Sequence, residues 1–295
     1  MKAVAAPAPR SVALDYLDLC KPRLSAFVLM VVGTSGWMAG GGGGGQALLV
    51  LHAVLGTALV ASGGSALNML LERRQDARMA RTAQRPLPAG RLTPHDVLWF
   101  GVATAGAGLL QLLLLTTPLA AALGAATLLL YVGVYTPLKR LTTLNTHIGA
   151  IPGALPALIG WAAVAGRLGP GAYSLFLLLY VWQIPHFLSI AWLYREDYRA
   201  GGFRMLPVVD TDGAVTGRQA LLGVLALLPV SLLPLVGGRA GMFYAAVALL
   251  LGGIFLRAAI GFAWRRGADR ARALLRASLL YLPPLLFAML LDRAF

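Results

Sequence analysis

Asn68–Gly90 reads NMLLERRQDARMARTAQRPLPAG and begins inside a long apolar run. An apolar helix that closes on Asn68, Glu72 and Asp76, and then on five arginines, does not follow the pattern of a water-soluble helix. The i, i+4, i+8 spacing sets the three polar side chains on one helical face. Asn68 and Asp76 then lie about 12 Å apart along the axis, at 1.5 Å per residue. Two carboxylates one turn apart repel by roughly 3 kcal/mol at an effective dielectric of 20, and a bound divalent cation converts that repulsion into coordination. Oxygen-only donors suit Mg2+, which keeps waters and bridges phosphates. Arg81 and Arg85, again one turn apart, supply guanidinium groups that match phosphate oxygens in pairs. Pro86, Pro88 and Gly90 then end the helix. The bland alternative is a helix end closed by solvated ion pairs, and spacing alone does not separate the two.

The rest of the chain supplies the context. Of 295 residues, 58% are hydrophobic and 12% charged. Apolar stretches of about 20 residues, the length that crosses a ~30 Å hydrocarbon layer, recur at 24–45, 47–69, 96–116, 118–136, 147–165, 172–193, 220–236, 241–262 and 276–291. The expected fold is all-α: a polytopic membrane protein with nine transmembrane helices in one bundle. The formal net charge of +14 raises nucleic acid as a partner, but its distribution argues against it. With the N-terminus assigned to the cytoplasm, 22 of the 25 Lys and Arg fall on that side, and only Arg167, Arg239 and Arg293 on the other. That imbalance is the positive-inside signature, with the C-terminus on the opposite side, and it leaves anionic ligands and lipid headgroups as the partners of the basic surface. Ten of the eleven acids lie on the same side, Asp292 being the exception. The expected organisation is an N-terminal cytoplasmic arm, 1–23, and one transmembrane domain, 24–295, whose inner-loop motifs lie at 68–91, 135–146 and 182–213. The outer connections, Gly41–Gly45 and Thr116–Pro118, read as tight turns. The single cysteine, Cys20, excludes an internal disulfide.

Two further inner segments carry chemistry. YTPLKRLTTLNT (Tyr135–Thr146) holds Lys139 and Arg140, which read either as topology anchors or as diphosphate contacts. WQIPHFLSIAWLYREDYRAGGFRMLPVVDTDG (Trp182–Gly213) holds Gln183 and His186 inside a span. An intramembrane histidine is a functional candidate by default, against the alternative of a packed histidine beside the Pro185 kink. The acids Glu196 and Asp197 follow, flanked by Arg195, Arg199 and Arg204. Two acidic clusters at one end of the bundle are suited to one or two Mg2+ ions across a diphosphate. Asp210, Asp212 and Gly213 read as a turn. His52, His95 and His147 lack the spacing of a zinc site, and no P-loop or Rossmann fingerprint occurs.

ALNMLLERRQDARMARTAQRPLPAGRL, YTPLKRLTTLNTHIGAIPGALPALIGW and WQIPHFLSIAWLYREDYRAGGFRMLPVVD, in that order, resemble the motifs of the UbiA superfamily of intramembrane prenyltransferases. Within it they are most similar to the branch that farnesylates protoheme IX. The resemblance implies farnesyl diphosphate as donor, heme B as acceptor substrate, and heme O plus diphosphate as products. It carries Asn68, Glu72 and Asp76 onto the first Mg2+–diphosphate motif, with Glu72 where the wider superfamily has Asp. It carries Arg81, Arg85, Lys139 and Arg140 onto the diphosphate-binding bases, and Glu196 and Asp197 onto the region of the second metal motif. There YREDY departs from Asp-x-x-x-Asp, whose ends correspond to Tyr194 and Tyr198. Asn68, Glu72, Asp76 and Asp197 are the expected catalytic set, and His186, Gln183 and Tyr194 the expected acceptor contacts. The implied setting is the inner membrane of a bacterium with the active site on the cytoplasmic side. Membrane lipids, and a downstream heme A synthase or terminal oxidase assembly, are the implied partners. The competing readings are a prenyltransferase acting on a quinone precursor or chlorophyllide, a secondary transporter, and a noncatalytic heme-handling scaffold.

Overall fold

The computed structural model describes residues 11–40 and 44–294. Lys2 and Arg10 of the expected arm and Gly41–Gly43 of the expected first turn lie outside the described residues, as do the side chains of Arg23 and Arg293. The regular structure among the described residues is helical throughout. A short helix α1 (Val12–Leu19) precedes α2 (Pro22–Ala39) and α3 (Gly44–Leu71); α4 (Arg73–Asp76) opens the first long loop. After it come α5 (Pro94–Leu115) and α6 (Pro118–Leu128), and α6 runs through a π-helical stretch, Leu129–Tyr135, into α7 (Thr136–Leu138). Then follow α8 (Asn145–Ala165), α9 (Pro170–Leu193), α10 (Arg195–Ala200), α11 (Leu206–Val209), α12 (Ala214–Ser231), α13 (Leu233–Val236), α14 (Met242–Trp264) and α15 (Ala268–Ala294). Eight helical stretches are long and apolar enough to cross a membrane, and a shorter apolar helix, Leu24–Ala39, stands where the first span was expected.

Local chemistry sets the boundaries. Proline occupies the first turn of α2, α5, α6 and α9, where its missing N–H costs nothing. Thr93 and Asp96 close a capping box at the start of α5. The last span begins at Ala268 rather than 276, because its first turns are amphipathic, with Ala271 and Leu274 buried while Asp269 pairs with Arg272 at 2.7 Å on the exposed face. Asp210 and Asp212 form the expected turn: Asp210 accepts from Thr216 N and Oγ1, both at 2.7 Å, Asp212 accepts from Ala214 N at 3.0 Å, and Gly213 has φ +73°. Asp292 caps a neighbouring helix, accepting from Gly241 N at 2.7 Å and Tyr244 N at 2.8 Å at the start of α14.

α8 and α9 are the most enclosed of the spans. α8 packs on α2, α3, α6 and α9; α9 packs on α8, α12 and α15; and α15 reaches back to α2, closing the bundle. Without a hydrophobic drive between helices in lipid, close packing of small residues holds such a bundle together. Gly56 and Gly63 of α3 meet Gly108 and Gly101 of α5 so closely that a Cβ on Gly63 would sit 2.5 Å from the Gly101 carbonyl oxygen. Gly106, on the same helix as Gly101, has open space at its Cβ position.

Gly63→Val will therefore lower the thermal unfolding midpoint in detergent, by an amount equivalent to roughly 1–3 kcal/mol of overpacking. Gly106→Val will leave it within about 0.5 kcal/mol, the usual limit for a change that touches nothing. Equal midpoints for the two variants would contradict the close α3–α5 contact.

Candidate active site

The first motif sits where α3 passes into α4. The backbone bonds Glu72 N to Asn68 O (3.0 Å) and Asp76 N to Glu72 O (2.8 Å) carry the helical spacing across the break at Glu72. The three side chains keep one face, and all three are buried. Asn68 is held from three directions: its Nδ2 donates to Thr136 Oγ1 at 2.9 Å, and its Oδ1 accepts from Tyr131 OH at 3.2 Å and from Lys21 Nζ at 3.3 Å. Tyr131 and Tyr135, stacked with centroids 5.9 Å apart, come from the π-helical stretch. The wider turn of that stretch brings Tyr131 and Thr136 onto the same asparagine.

Each carboxylate has its own base. Lys139 Nζ stands 2.8 Å from Glu72 Oε1, a contact ion pair rather than an aligned hydrogen bond. Arg85 donates to Asp76 Oδ2 at 2.7 Å. Burial disfavours the Lys139 ammonium, but the Glu72 carboxylate outweighs it, so its pKa is raised. Lys21, in a left-handed backbone conformation (φ 46°) just before Pro22, has no carboxylate at salt-bridge distance among the described residues. Burial first, and then the positive charges of Arg85 and Lys139, pull its pKa down to about 7. Two acids and two bases thus balance, with a third base poised between its charged and neutral forms.

The second acidic pair divides. Asp197 turns to the first loop, where its Oδ1 accepts from Ala80 N at 3.2 Å. Arg81 lies over the rings of Tyr194 (4.8 Å) and Tyr198 (5.7 Å). Glu196 faces the other way: it is 70% exposed, bonded to Arg195 and Arg199, and borders the surface near Arg266. Its pKa is lowered, chiefly by the hydrogen bond from Arg199. The structure thus brings Asp197, and not Glu196, to the loop that follows the first motif. The connection after α7 closes the third side. Arg204 N donates to Lys139 O at 2.7 Å, Asn145 Nδ2 donates to Arg204 O at 3.0 Å, and Gln75, with its amide turned to match donors to acceptors, takes a bond from Arg140 at 2.9 Å.

Of the expected acceptor contacts, Gln183 is turned into α8, donating to Leu179 O (3.1 Å) and Ala150 O (3.3 Å). His186 stacks on Trp182 with centroids 4.8 Å apart, and Trp182 stacks on Phe27. Lys21, Tyr131, Tyr135, Thr136 and Gln75 belong to the cluster but were not expected in it. A lysine at the foot of a span reads as an anchor, and the tyrosines as packing. The available signals were the Lys-Pro junction at 21–22 and the one-turn spacing of Tyr131 and Tyr135.

Asp76 Oδ1 is buried and has no hydrogen-bond partner among the described residues, and Glu72 Oε1 has no aligned donor. Such atoms are costly unless a cation or donor completes them. Among the described residues, no three His, Cys, Asp or Glu side chains gather as a metal cage. The donor set fits an ion held by one or two carboxylates and completed by substrate oxygens and water, as is usual for Mg2+.

With this geometry in view, the relatives are informative. The profile of the UbiA prenyltransferase family matches residues 27–282, and the chain belongs to that family. The chain is 46% identical over 288 residues to a protoheme IX farnesyltransferase from Solibacter usitatus (strain Ellin6076), covering 95% of this chain and 98% of the relative. Among solved structures, it resembles that of a digeranylgeranylglyceryl phosphate synthase with a TM-score of 0.77 at 17% identity, over 95% and 98% of the two chains. It resembles that of a UbiA homologue from Archaeoglobus fulgidus bound to DMAPP and Mg2+ with a TM-score of 0.62 at 15% identity, over 93% and 98%. At such identities the likeness carries the fold alone.

The Glu72–Lys139 pair makes a stability prediction. Lys139→Met strands a buried carboxylate and will destabilise the protein by roughly 3 kcal/mol, the low end for breaking a buried pair. Adding Glu72→Gln removes the stranded charge and will restore most of the loss. A double-mutant cycle of detergent unfolding midpoints reads the coupling, and strictly additive effects would argue that the two groups do not interact.

Proposed function

We propose that this member of the UbiA family transfers the farnesyl group of farnesyl diphosphate to a vinyl group of heme B, giving heme O and diphosphate. The observation that carries the site assignment is the orphaned Asp76 Oδ1 within a cluster of lysines and arginines. The near full-length similarity to a protoheme IX farnesyltransferase supports the choice of acceptor.

Glu72 and Asp76, with Asn68 beside them, would hold Mg2+, while Asp197 fastens the second acidic segment to the first loop at Ala80. When bound, the ion supplies Lewis-acid neutralisation of the charge that develops on the departing diphosphate. Lys139 and Arg85 rest on the two carboxylates and would turn to phosphate oxygens with a metal on those carboxylates, so that no buried charge would be left unpaired. Arg81 and Arg140 extend the same basic surface. In the reaction the C1–O bond of the farnesyl donor breaks and its electron pair leaves with the diphosphate. The vinyl π electrons form the new carbon–carbon bond. Water adds to the porphyrin-stabilised cation and releases a proton, leaving the hydroxyl of the product. Preplaced cations lower this barrier because they need no reorganisation, and enclosure between helices keeps bulk water from the allylic carbon.

Nine spans, an N-terminus in the cytoplasm and a cytoplasmic active site in a bacterial inner membrane complete the proposal. The Lys and Arg imbalance supports that orientation. Residues 24–295 act as one catalytic unit.

Purified in detergent, the chain will consume farnesyl diphosphate only when heme B and Mg2+ are both present, with a product mass equal to heme B plus farnesyl plus hydroxyl. Asp76→Ala will lower kcat on the order of 10²-fold or more, as loss of a preorganised electrostatic group does. Turnover independent of heme, or near-normal turnover of Asp76→Ala, would overturn the assignment.

Lys21 adds a pH signature. Its pKa of about 7 leaves it mostly neutral at pH 8, and an arriving anion raises that pKa and draws a proton onto it. Binding of Mg2+–pyrophosphate at pH 8 will therefore take up more protons in the wild type than in Lys21→Met, and that difference will shrink at pH 6, where Lys21 is already charged. Calorimetry in buffers of different ionisation enthalpy measures the difference, which cancels the protons that pyrophosphate itself exchanges.

A further inference from the structure

Acceptance of heme leaves open what His186 does, since an intramembrane histidine can meet either the iron or a propionate. The two roles need opposite faces of the imidazole. A propionate needs an N–H donor; iron needs a bare lone pair. Contacts around Ser278 decide between them. Ser278 Oγ lies 2.7 Å from Leu275 O, one turn back in α15, and 2.8 Å from His186 Nδ1 across the α9–α15 contact. A serine hydroxyl has one hydrogen, and a carbonyl has none to give. The hydroxyl therefore donates to Leu275 O, and its lone pair accepts Nδ1–H. The neutral ring then carries its lone pair on Nε2. That nitrogen makes no hydrogen bond among the described residues, and His186 keeps accessible surface.

Ser278 is itself fixed. Its carbonyl accepts from Trp182 Nε1 at 2.9 Å, so two rings of α9, one turn apart, are pinned to one residue of α15. Trp182 also stacks nearly parallel on Phe27 of α2, at 7°. Along the helices the arrangement lies below the charged cluster. His186 is eight residues, or about 12 Å, deeper than Tyr194, whose ring Arg81 covers. Phe27 is six residues, or about 9 Å, deeper than Lys21. A planar acceptor lying beneath the diphosphate site meets this level of the bundle.

We propose that Ser278 is a positioning residue that holds His186 as its Nδ1-protonated tautomer, so that Nε2 becomes an axial ligand to the iron of the heme substrate. This rests on heme being the acceptor. A metal-bound imidazole characteristically donates its other N–H to an oxygen that sets its tautomer and orientation, and Ser278 Oγ occupies that place. A propionate at Nε2 would face lone pair against lone pair.

The test uses the full chain in detergent, without farnesyl diphosphate, titrated with ferric heme B and followed by absorption and low-temperature EPR. Binding of Mg2+–pyrophosphate in each variant reports an intact fold. The wild type should give the spectrum of imidazole-ligated heme. His186→Ala should lose it and regain it with added imidazole. Ser278→Ala should weaken the ligated species roughly 10–100-fold, while Ser278→Thr, which keeps the hydroxyl, should restore it. A measurement on the wild type alone gives a second reading: heme should bind at least about tenfold tighter than iron-free protoporphyrin IX, since one ligand bond worth 1.4 kcal/mol suffices for that ratio. Equal affinity for the two porphyrins, or a heme spectrum unchanged in His186→Ala, would overturn the iron ligation. If farnesyl transfer to heme still proceeds in that case, the acceptor assignment stands and this inference alone fails. If heme neither binds nor is consumed while Mg2+–pyrophosphate binds normally, both fail together.

Discussion

The structure depends on keeping two carboxylates charged where water is scarce. Glu72 and Asp76 are buried at the end of an apolar helix, and an isolated charge in such a place is prohibitively costly. The chain meets this by giving each acid a base from elsewhere: Lys139 from the connection after α7, and Arg85 from the first long loop. Neither base is a neighbour on the same helical turn, so the pairs work as tertiary fastenings as well as charge compensation. They also hold a site in readiness. Acids balanced by bases form a near-neutral cluster, and in the proposed reaction each acid would exchange its base for the metal while each base would exchange its acid for phosphate.

Around that cluster the loops are fixed to one another rather than left to solvent. Asp197 reaches Ala80, Arg204 reaches Lys139, and Asn145 reaches Arg204. Met79, Ala191, Phe203 and Met205 form a small apolar cluster beneath them. Main-chain atoms are partners in all three contacts, so the second acidic segment is fastened at Asp197 to the backbone of the first loop and at Arg204 to the 139–145 connection. Precision at such a site comes from supporting contacts of this sort. The π-helical stretch serves the same end: one wider turn brings Tyr131 and Thr136 to Asn68 from the end of a helix that packs on α5 and α8.

Much of this was legible in the sequence, for identifiable reasons. Spans can be read from hydropathy because a membrane helix must satisfy its own backbone and be apolar along its length. Asn68, Glu72 and Asp76 were legible because helical spacing survives the break at Glu72. What periodicity cannot supply is the direction of two consecutive side chains. Glu196 and Asp197 are adjacent, and on a helix they diverge by about 100° (3.6 residues per turn), so one meets the first long loop and the other meets solvent. Lys21 was hidden for another reason. Its role depends on a contact with Asn68, 47 residues away, and a base at the foot of a span carries the same sequence signal whether it anchors topology or lines a site. The helix starts at 214 and 268 lie ahead of the apolar runs because polar residues, Thr216, Arg218 and Gln219 in one and Asp269, Arg270 and Arg272 in the other, lower the hydropathy of each helix's first turns.

Depth in the bundle sorts the chemistry. Near the loop end, charged groups dominate, with Glu72, Asp76, Lys139 and Arg85 paired and Lys21 beside them on Asn68, which suits a leaving diphosphate. About two turns deeper, the polar groups are few and neutral: Gln183, His186 and Ser278, each spending hydrogens on specific oxygens. A neutral serine is the more suitable partner for a histidine at that depth. A carboxylate there would add a buried charge needing a base of its own, and would favour the charged imidazolium over the lone pair. The hydroxyl fixes the ring while adding no charge, so the acceptor level stays apolar enough to exclude water from an allylic cation formed just above it. Charge at the mouth and tautomer control below it are two answers to one condition, a low dielectric in which every proton must be accounted for.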